Sequence, residues 1–203
     1  MFNTEDLYDI VGEQLLGRRG LEFTSELKMR MMGLPGPEAF AVMKDYCGID
    51  EPIETLAQEC DVLFETLLPE KIQTMPGLEQ LLDLLESRQI PKGIATSSHR
   101  RMATRALGSF DLEPRFDFVL TAESVTRGKP DPEVYLTAAK KHGVEPAQML
   151  VLEDSIHGSN AGVAAGATTI AVPSRRVDSG QFGSVYAICE SLADEAILEL
   201  IRN

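Results

Sequence analysis

From Pro76 onward the chain alternates short apolar runs with helical patterns, and this alternation limits the fold more than any other feature. After Pro76 and Gly77, LEQLLDLLESRQ has helical spacing. KGIATSS then reads as a strand, and a helix covers residues 99–109. FDFVLTAES is a second strand and PDPEVYLTAAKKHG a second crossover helix. MLVLEDS, GSNAGVAAGA and TTIAVPS supply a strand, a small-residue helix and another strand. A short strand near Ala187 and the helix SLADEAILELIR close the pattern. Strands separated by helices need crossover connections, so the expected core is a Rossmann-like parallel sheet covered on both faces. Sheets of this kind bind ligands at the carboxyl ends of their strands.

Residues 4–70 carry little strand signal. Leu7, Ile10, Val11, Leu15 and Leu16 recur at helical spacing, with Thr4 as N-cap. Thr24 or Ser25 caps a second helix through Met32, stopped by Gly33 and Pro35. Pro37 starts a third, ended by Gly48. Pro52 starts a fourth that runs toward Leu68 and stops at Pro69. The Met-rich segment KMRMMG reads as core filler. The division is a helical unit over residues 1–72 and an α/β unit over 73–203.

The net charge of −13 disfavours nucleic acid as a partner. An anionic small molecule would need locally supplied positive charge. Cys47, Cys60 and Cys189 form no C-x-x-C pair, so neither a zinc site nor a disulfide framework is suggested. No run approaches the ~18 apolar residues of a membrane span. MFNTEDLYD lacks the basic start and apolar stretch of a signal peptide. A soluble cytoplasmic protein without membrane contact, monomeric or a weak homodimer, is expected.

The polar residues at the strand ends carry the chemistry. KGIATSSH ends in Thr96, Ser97, Ser98 and His99; RGKPDP carries Lys129; LVLEDS ends in Glu153 and Asp154. Taken singly, ATSSH is a helix cap and GKPDP a surface turn. Adjacent carboxylates directly after a buried run are harder to dismiss, because unpaired charge there is expensive. Together the three groups place hydroxyl and amide donors, one cation and two acids on one sheet edge. Mg²⁺ takes oxygen ligands, one or two carboxylates plus a substrate phosphate. Thr96 and the Ser97 amide can donate to phosphate oxygens, and Lys129 can neutralise a transferring group. Asp154, with Glu153 beside it, is the expected metal site.

At these residues the sequence resembles the haloacid dehalogenase (HAD) superfamily, in its β-phosphoglucomutase-like phosphatase branch. IATSS resembles the second motif, with Thr96 in the phosphate-binding place; GKPDP the third, with Lys129; and LEDSIHGSNAGVAAGA the fourth, with Glu153 and Asp154 in the magnesium-binding places. The helices at 4–70 resemble the family's cap. The resemblance implies a HAD-like α/β core, an α-helical cap and Mg²⁺-dependent phosphoryl chemistry.

The family's first motif is a strand ending in D-x-D-G-T, which supplies the nucleophilic Asp and the general acid/base. No D-x-D occurs in this sequence; Asp6 and Asp9 are separated by two residues, and KPDPE holds one Asp. In the family that strand lies in the sheet centre, between the strands ending here at Thr96 and Glu153, so the first core strand is expected to be missing. A reading frame recorded from an internal Met accounts for this. The rival is a degenerate relative that binds phosphorylated ligands without turnover.

Mutases of the branch place a cap arginine where Pro35, Gly36 and Pro37 stand here. That shifts weight from a phosphosugar mutase to a phosphatase of small phosphorylated metabolites, sugar phosphates foremost. Ser98 and His99 are candidate contacts to the distal part of the substrate, while Arg100 and Arg101 read as a solvated helix face.

Overall fold

The structure, a computed structural model, describes residues 1–31, 34, 36–173 and 179–202. Met32, Gly33 and Pro35, where the sequence places the end of the second helix, lie outside these, as does Ser174. The described chain divides into two compact units, Phe2–Gln73 and Met1 with Thr74–Asn203.

The first unit holds α1 (Thr4–Gly17), α2 (Ser25–Met31), α3 (Gly36–Cys47) and α4 (Ile53–Lys71). Leu7, Val11, Leu15 and Leu16 of α1 are buried together with Leu56, Leu63, Phe64 and Leu68 of α4. Arg19 follows α1 and fastens the far side: its Nε donates to Glu51 at 2.8 Å and one terminal nitrogen to Glu59 at 2.6 Å. Two sequence expectations change. The fourth helix continues through Pro69 to Lys71, because a proline so near the end forfeits only one bond and the helix stops two residues later. In KMRMMG, Met29 is 68% exposed, while Leu27 just before it is the buried residue.

The second unit opens with α5 (Leu78–Ser87), whose Leu78, Leu81 and Leu82 form a buried stripe. Then follow β1 (Ile94–Ala95), α6 (Arg100–Gly108), β2 (Val119–Leu120), α7 (Glu133–His142), β3 (Leu150–Glu153), α8 (Ile156–Ala164), β4 (Thr168–Ala171), β5 (Ala187–Ile188) and α9 (Glu195–Arg202). All strand pairs are parallel: β1 with β2, β3 with β4, and β4 with β5. Gly143 ends α7 at φ +69°, a left-handed turn that glycine makes without steric cost.

The strands form two separate sheets, β1–β2 and β3–β4–β5. Between them lies a cavity of about 650 Å³, lined by Gly93, Ile94 and Ala95 on one edge and Leu150, Val151 and Leu152 on the other. Among the described residues no strand pairs β1 with β3. No described helix is long and apolar enough to cross a membrane.

Candidate active site

Two loops and one strand tip build the site. Glu133, at the start of α7, accepts the amides of Thr126 at 2.7 Å and Arg127 at 2.8 Å. These bonds lock the loop that presents Lys129, and they lower the Glu133 pKa. The Lys129 ammonium reaches the Ala95 carbonyl oxygen at 3.0 Å and the Glu153 Oε1. It therefore ties the carboxyl-terminal tip of β1 to that of β3.

Glu153 is buried and fully engaged. Its Oε1 accepts from Lys129 and from the Tyr135 hydroxyl, and its Oε2 accepts from the Ser155 hydroxyl at 3.2 Å. The Lys129 nitrogen also stands 5.2 Å from the Tyr135 ring centroid. Burial opposes the Glu153 charge, but the Lys129 ammonium and the hydrogen bonds outweigh it, and its pKa falls below the ordinary value. Tyr135 moves the opposite way: burial and the neighbouring carboxylates keep its hydroxyl protonated and donating. Next along the chain, burial pushes the Asp154 carboxyl up, the α-ammonium of Met1 pulls it back down, and the Glu153 charge adds to the rise.

The spacing E-D-S-x-x-G now has a mechanical reading. Ser155 is the N-cap of α8 and accepts the Gly158 amide at 3.0 Å, while its own hydroxyl turns to Glu153. At Gly158 a side chain would strike that carboxylate, so the absence of Cβ makes the room Glu153 occupies.

At the tip of β1, the Thr96 amide donates to Leu120 O at 2.9 Å and its Oγ1 accepts the Ser98 amide at 3.1 Å. The hydroxyl proton of Thr96 is left to donate elsewhere. Thr96 directly follows Ala95, whose carbonyl oxygen accepts from Lys129. Ser97 is exposed and Ser98 half-buried. His99, with its side chain 74% exposed, turns Nδ1 to Glu123 at 3.1 Å. Among the described residues no hydrogen bond joins Ser97, Ser98 or His99 to Lys129 or Glu153.

The side chains of Glu153, Asp154 and Ser155 offer oxygen atoms only. Among the described residues no cluster of three or more His, Cys, Asp or Glu side chains forms a closed protein cage. Carboxylate and hydroxyl oxygens are the kind of ligand Mg²⁺ takes, together with waters and phosphate. With both Glu153 oxygens occupied by internal donors, Asp154 is the acid left for a cation. Sequence reasoning missed Tyr135; the signal is its place in PDPEVY, one turn into the helix that follows Lys129.

The haloacid dehalogenase-like hydrolase family model matches residues 1–172. A phosphorylated carbohydrates phosphatase from Thermotoga maritima is 30% identical over 166 residues, 82% of this chain and 77% of that protein. A validoxylamine A 7'-phosphate phosphatase from Streptomyces hygroscopicus subsp. limoneus is 32% identical over 169 residues, 82% of this chain and 78% of that protein. A HAD hydrolase of family IA, variant 3, from Entamoeba histolytica has a TM-score of 0.85 at 26% identity, with 100% of this chain and 95% of that chain covered.

Proposed function

Because the chain belongs to the haloacid dehalogenase-like hydrolases, we propose that its site serves a Mg²⁺-dependent phosphatase of small phosphorylated metabolites, sugar phosphates foremost. One observation carries the reading: Lys129 is pinned between Ala95 O and Glu153, beside Thr96 and Asp154, at the strand tips. The names of the T. maritima and Streptomyces relatives support a phosphorylated carbohydrate or polyol as the substrate class.

Each residue has a role in this reading. The Thr96 hydroxyl and the Ser97 amide donate to phosphate oxygens. Lys129 offsets charge on the phosphoryl group, held at a fixed point by its two oxygen partners. Ser98 and His99 contact the rest of the substrate. Asp154 holds Mg²⁺ with Glu153 beside it, and the ion supplies charge neutralisation at the phosphate. The helical unit acts as the cap that excludes bulk water. No D-x-D stands within residues 1–203.

The test is hydrolysis of p-nitrophenyl phosphate and a sugar phosphate panel with Mg²⁺, using the chain lengthened by its in-frame upstream codons. Turnover that falls at least a hundredfold in Asp154→Asn is expected. A folded, lengthened chain with no turnover, or an Asp154→Asn variant with full activity, overturns the reading.

A further inference from the structure

The loops that follow β1 and β2 are joined by one carboxylate. The Ala122 amide donates to Ser98 O at 3.1 Å, extending the pairing of the two strands past their tips. Beyond that bond, both oxygens of Glu123 accept the Arg100 amide at 3.2 Å, and Oε1 also faces His99 Nδ1 at 3.1 Å. Arg100 returns the contact: a terminal nitrogen of its side chain donates to Val119 O at 3.0 Å. Glu123 itself is held in a turn. The Ser124 amide donates to Thr121 O at 2.8 Å, and the Thr121 amide donates to the Ser124 hydroxyl at 3.0 Å.

These bonds decide which amides of the loop remain for a ligand. Arg100 is the first residue of α6, so its amide is one of the donors that a helix start leaves unpaired. A carboxylate is favoured at that end by those donors and by the helix dipole. With Glu123 on it, this amide is taken. The Ser98 amide is also taken, by Thr96 Oγ1. Among the described residues, the amides of this loop left without a partner are those of Ser97 and His99, and Ser97 directly follows the Thr96 hydroxyl. The segment that carries Glu123 runs on to Lys129. One stretch between β2 and α7 therefore braces the amide side of the strand tips and presents the cation.

We propose that Glu123 is a positioning residue for phosphate: by holding the Arg100 amide and the His99 ring it keeps the loop in the shape that offers the Ser97 amide and the Thr96 hydroxyl, and it closes the start of α6 to the anion. Glu123 touches no ligand in this role and acts through the loop. The proposal rests on the phosphatase reading, and its test is built so that the two can fail separately.

The probe is inorganic phosphate with Mg²⁺, titrated into the ¹⁵N-labelled chain and followed in its amide spectra. In the parent, the Ser97 amide proton is expected to move downfield at saturation while the Arg100 amide stays in place. Glu123→Ala, with folding checked by its urea midpoint, should bind phosphate about tenfold more weakly, the scale of one lost hydrogen bond to a charged group. Glu123→Gln keeps an oxygen for the Arg100 amide and should restore most of the affinity, a rescue that a role in stability alone does not require. In the parent, bound phosphate that leaves Ser97 unmoved, or that shifts Arg100 as far as Ser97, overturns the proposal without any variant. A folded Glu123→Ala with the parent's affinity overturns it too and leaves the phosphatase reading intact. A parent that binds no phosphate overturns that reading and the proposal with it.

Discussion

A Cβ built at Gly158 would overlap Oε2 and Cδ of Glu153, so the glycine and the carboxylate share one space. Glu153 can yield that space only by leaving Lys129, Tyr135 and Ser155. Gly158→Ala gains about 1 kcal/mol of helix propensity. Against it stands overpacking in a filled site, about 1–3 kcal/mol, together with weakened bonds to a buried charge. The clash prevails. Urea unfolding of Gly158→Ala should show a lower midpoint than the parent, and an unchanged or higher midpoint would refute the arrangement.

Tyr135→Phe removes one hydroxyl donor from Glu153 Oε1 and leaves the ring in place over Lys129. A hydrogen bond to a charged group contributes about 1.5–3 kcal/mol. The variant should lose stability in that range with an unchanged denaturant slope. A loss below about 0.5 kcal/mol, the scale of an ordinary surface change, would mean the bond is dispensable.

How far this site could be read without coordinates depends on which interactions are local. The apolar runs IATSS, FDFVL, LVLED and TTIA announce β1 to β4 because a strand buried on both faces needs unbroken apolar sequence. E-D-S-x-x-G is legible for the same reason, since Ser155 and Gly158 act within one helical turn of Glu153. Lys129 reads from sequence as a cation waiting for phosphate, yet it is already held by Ala95 and Glu153, 34 and 24 residues away along the chain. Tyr135 is missed because its place in PDPEVY brings it close to Lys129 along the chain but does not tell where its hydroxyl points. Pro69 misleads because a helix breaker matters less in a last turn, where fewer bonds remain to be lost. Periodicity reveals strands but not their lateral order, which is a tertiary property, so the gap between β1 and β3 is legible only through the family resemblance.

The thiols of Cys60 and Cys189 should be slow to react in the folded chain. Burial and the nearby Asp61 charge push Cys60 up to about 12, burial with Asp194 pushes Cys189 up to about 11, and burial raises Cys47. The thiolate is the reactive form, and at pH 8 a thiol of pKa 12 is ionised at about one part in ten thousand. Labelling with a chromogenic disulfide at pH 8 should be slow at Cys60 and Cys189 and become fast in denaturant. Rapid labelling of Cys60 in the folded chain would contradict its burial.

Lys129→Met should be the most damaging single change at the site, because it strands a carboxylate. The side chains of Lys129 and Glu153 are 9% and 6% exposed, so water cannot replace the lost partner. Breaking a buried pair from one side costs about 3–5 kcal/mol, whereas replacing both partners is often tolerated. The double variant Lys129→Met with Glu153→Gln should therefore recover part of the loss, as a double-mutant cycle would record. The pH dependence has a definite sign. Glu153 has a folded pKa below its unfolded value, so its contribution is fully present above the unfolded value of about 4.3 and is lost as pH falls through the folded one. In Lys129→Met the carboxyl no longer has its cation, burial acts alone, and it takes up a proton more readily. The stability gap between parent and Lys129→Met should be widest near pH 7 and narrow as the pH drops below about 4. Urea unfolding at pH 7, 5 and 3.5 measures it, and a gap that stays constant or widens toward acid would mean that Lys129 does not hold Glu153 in its charged form.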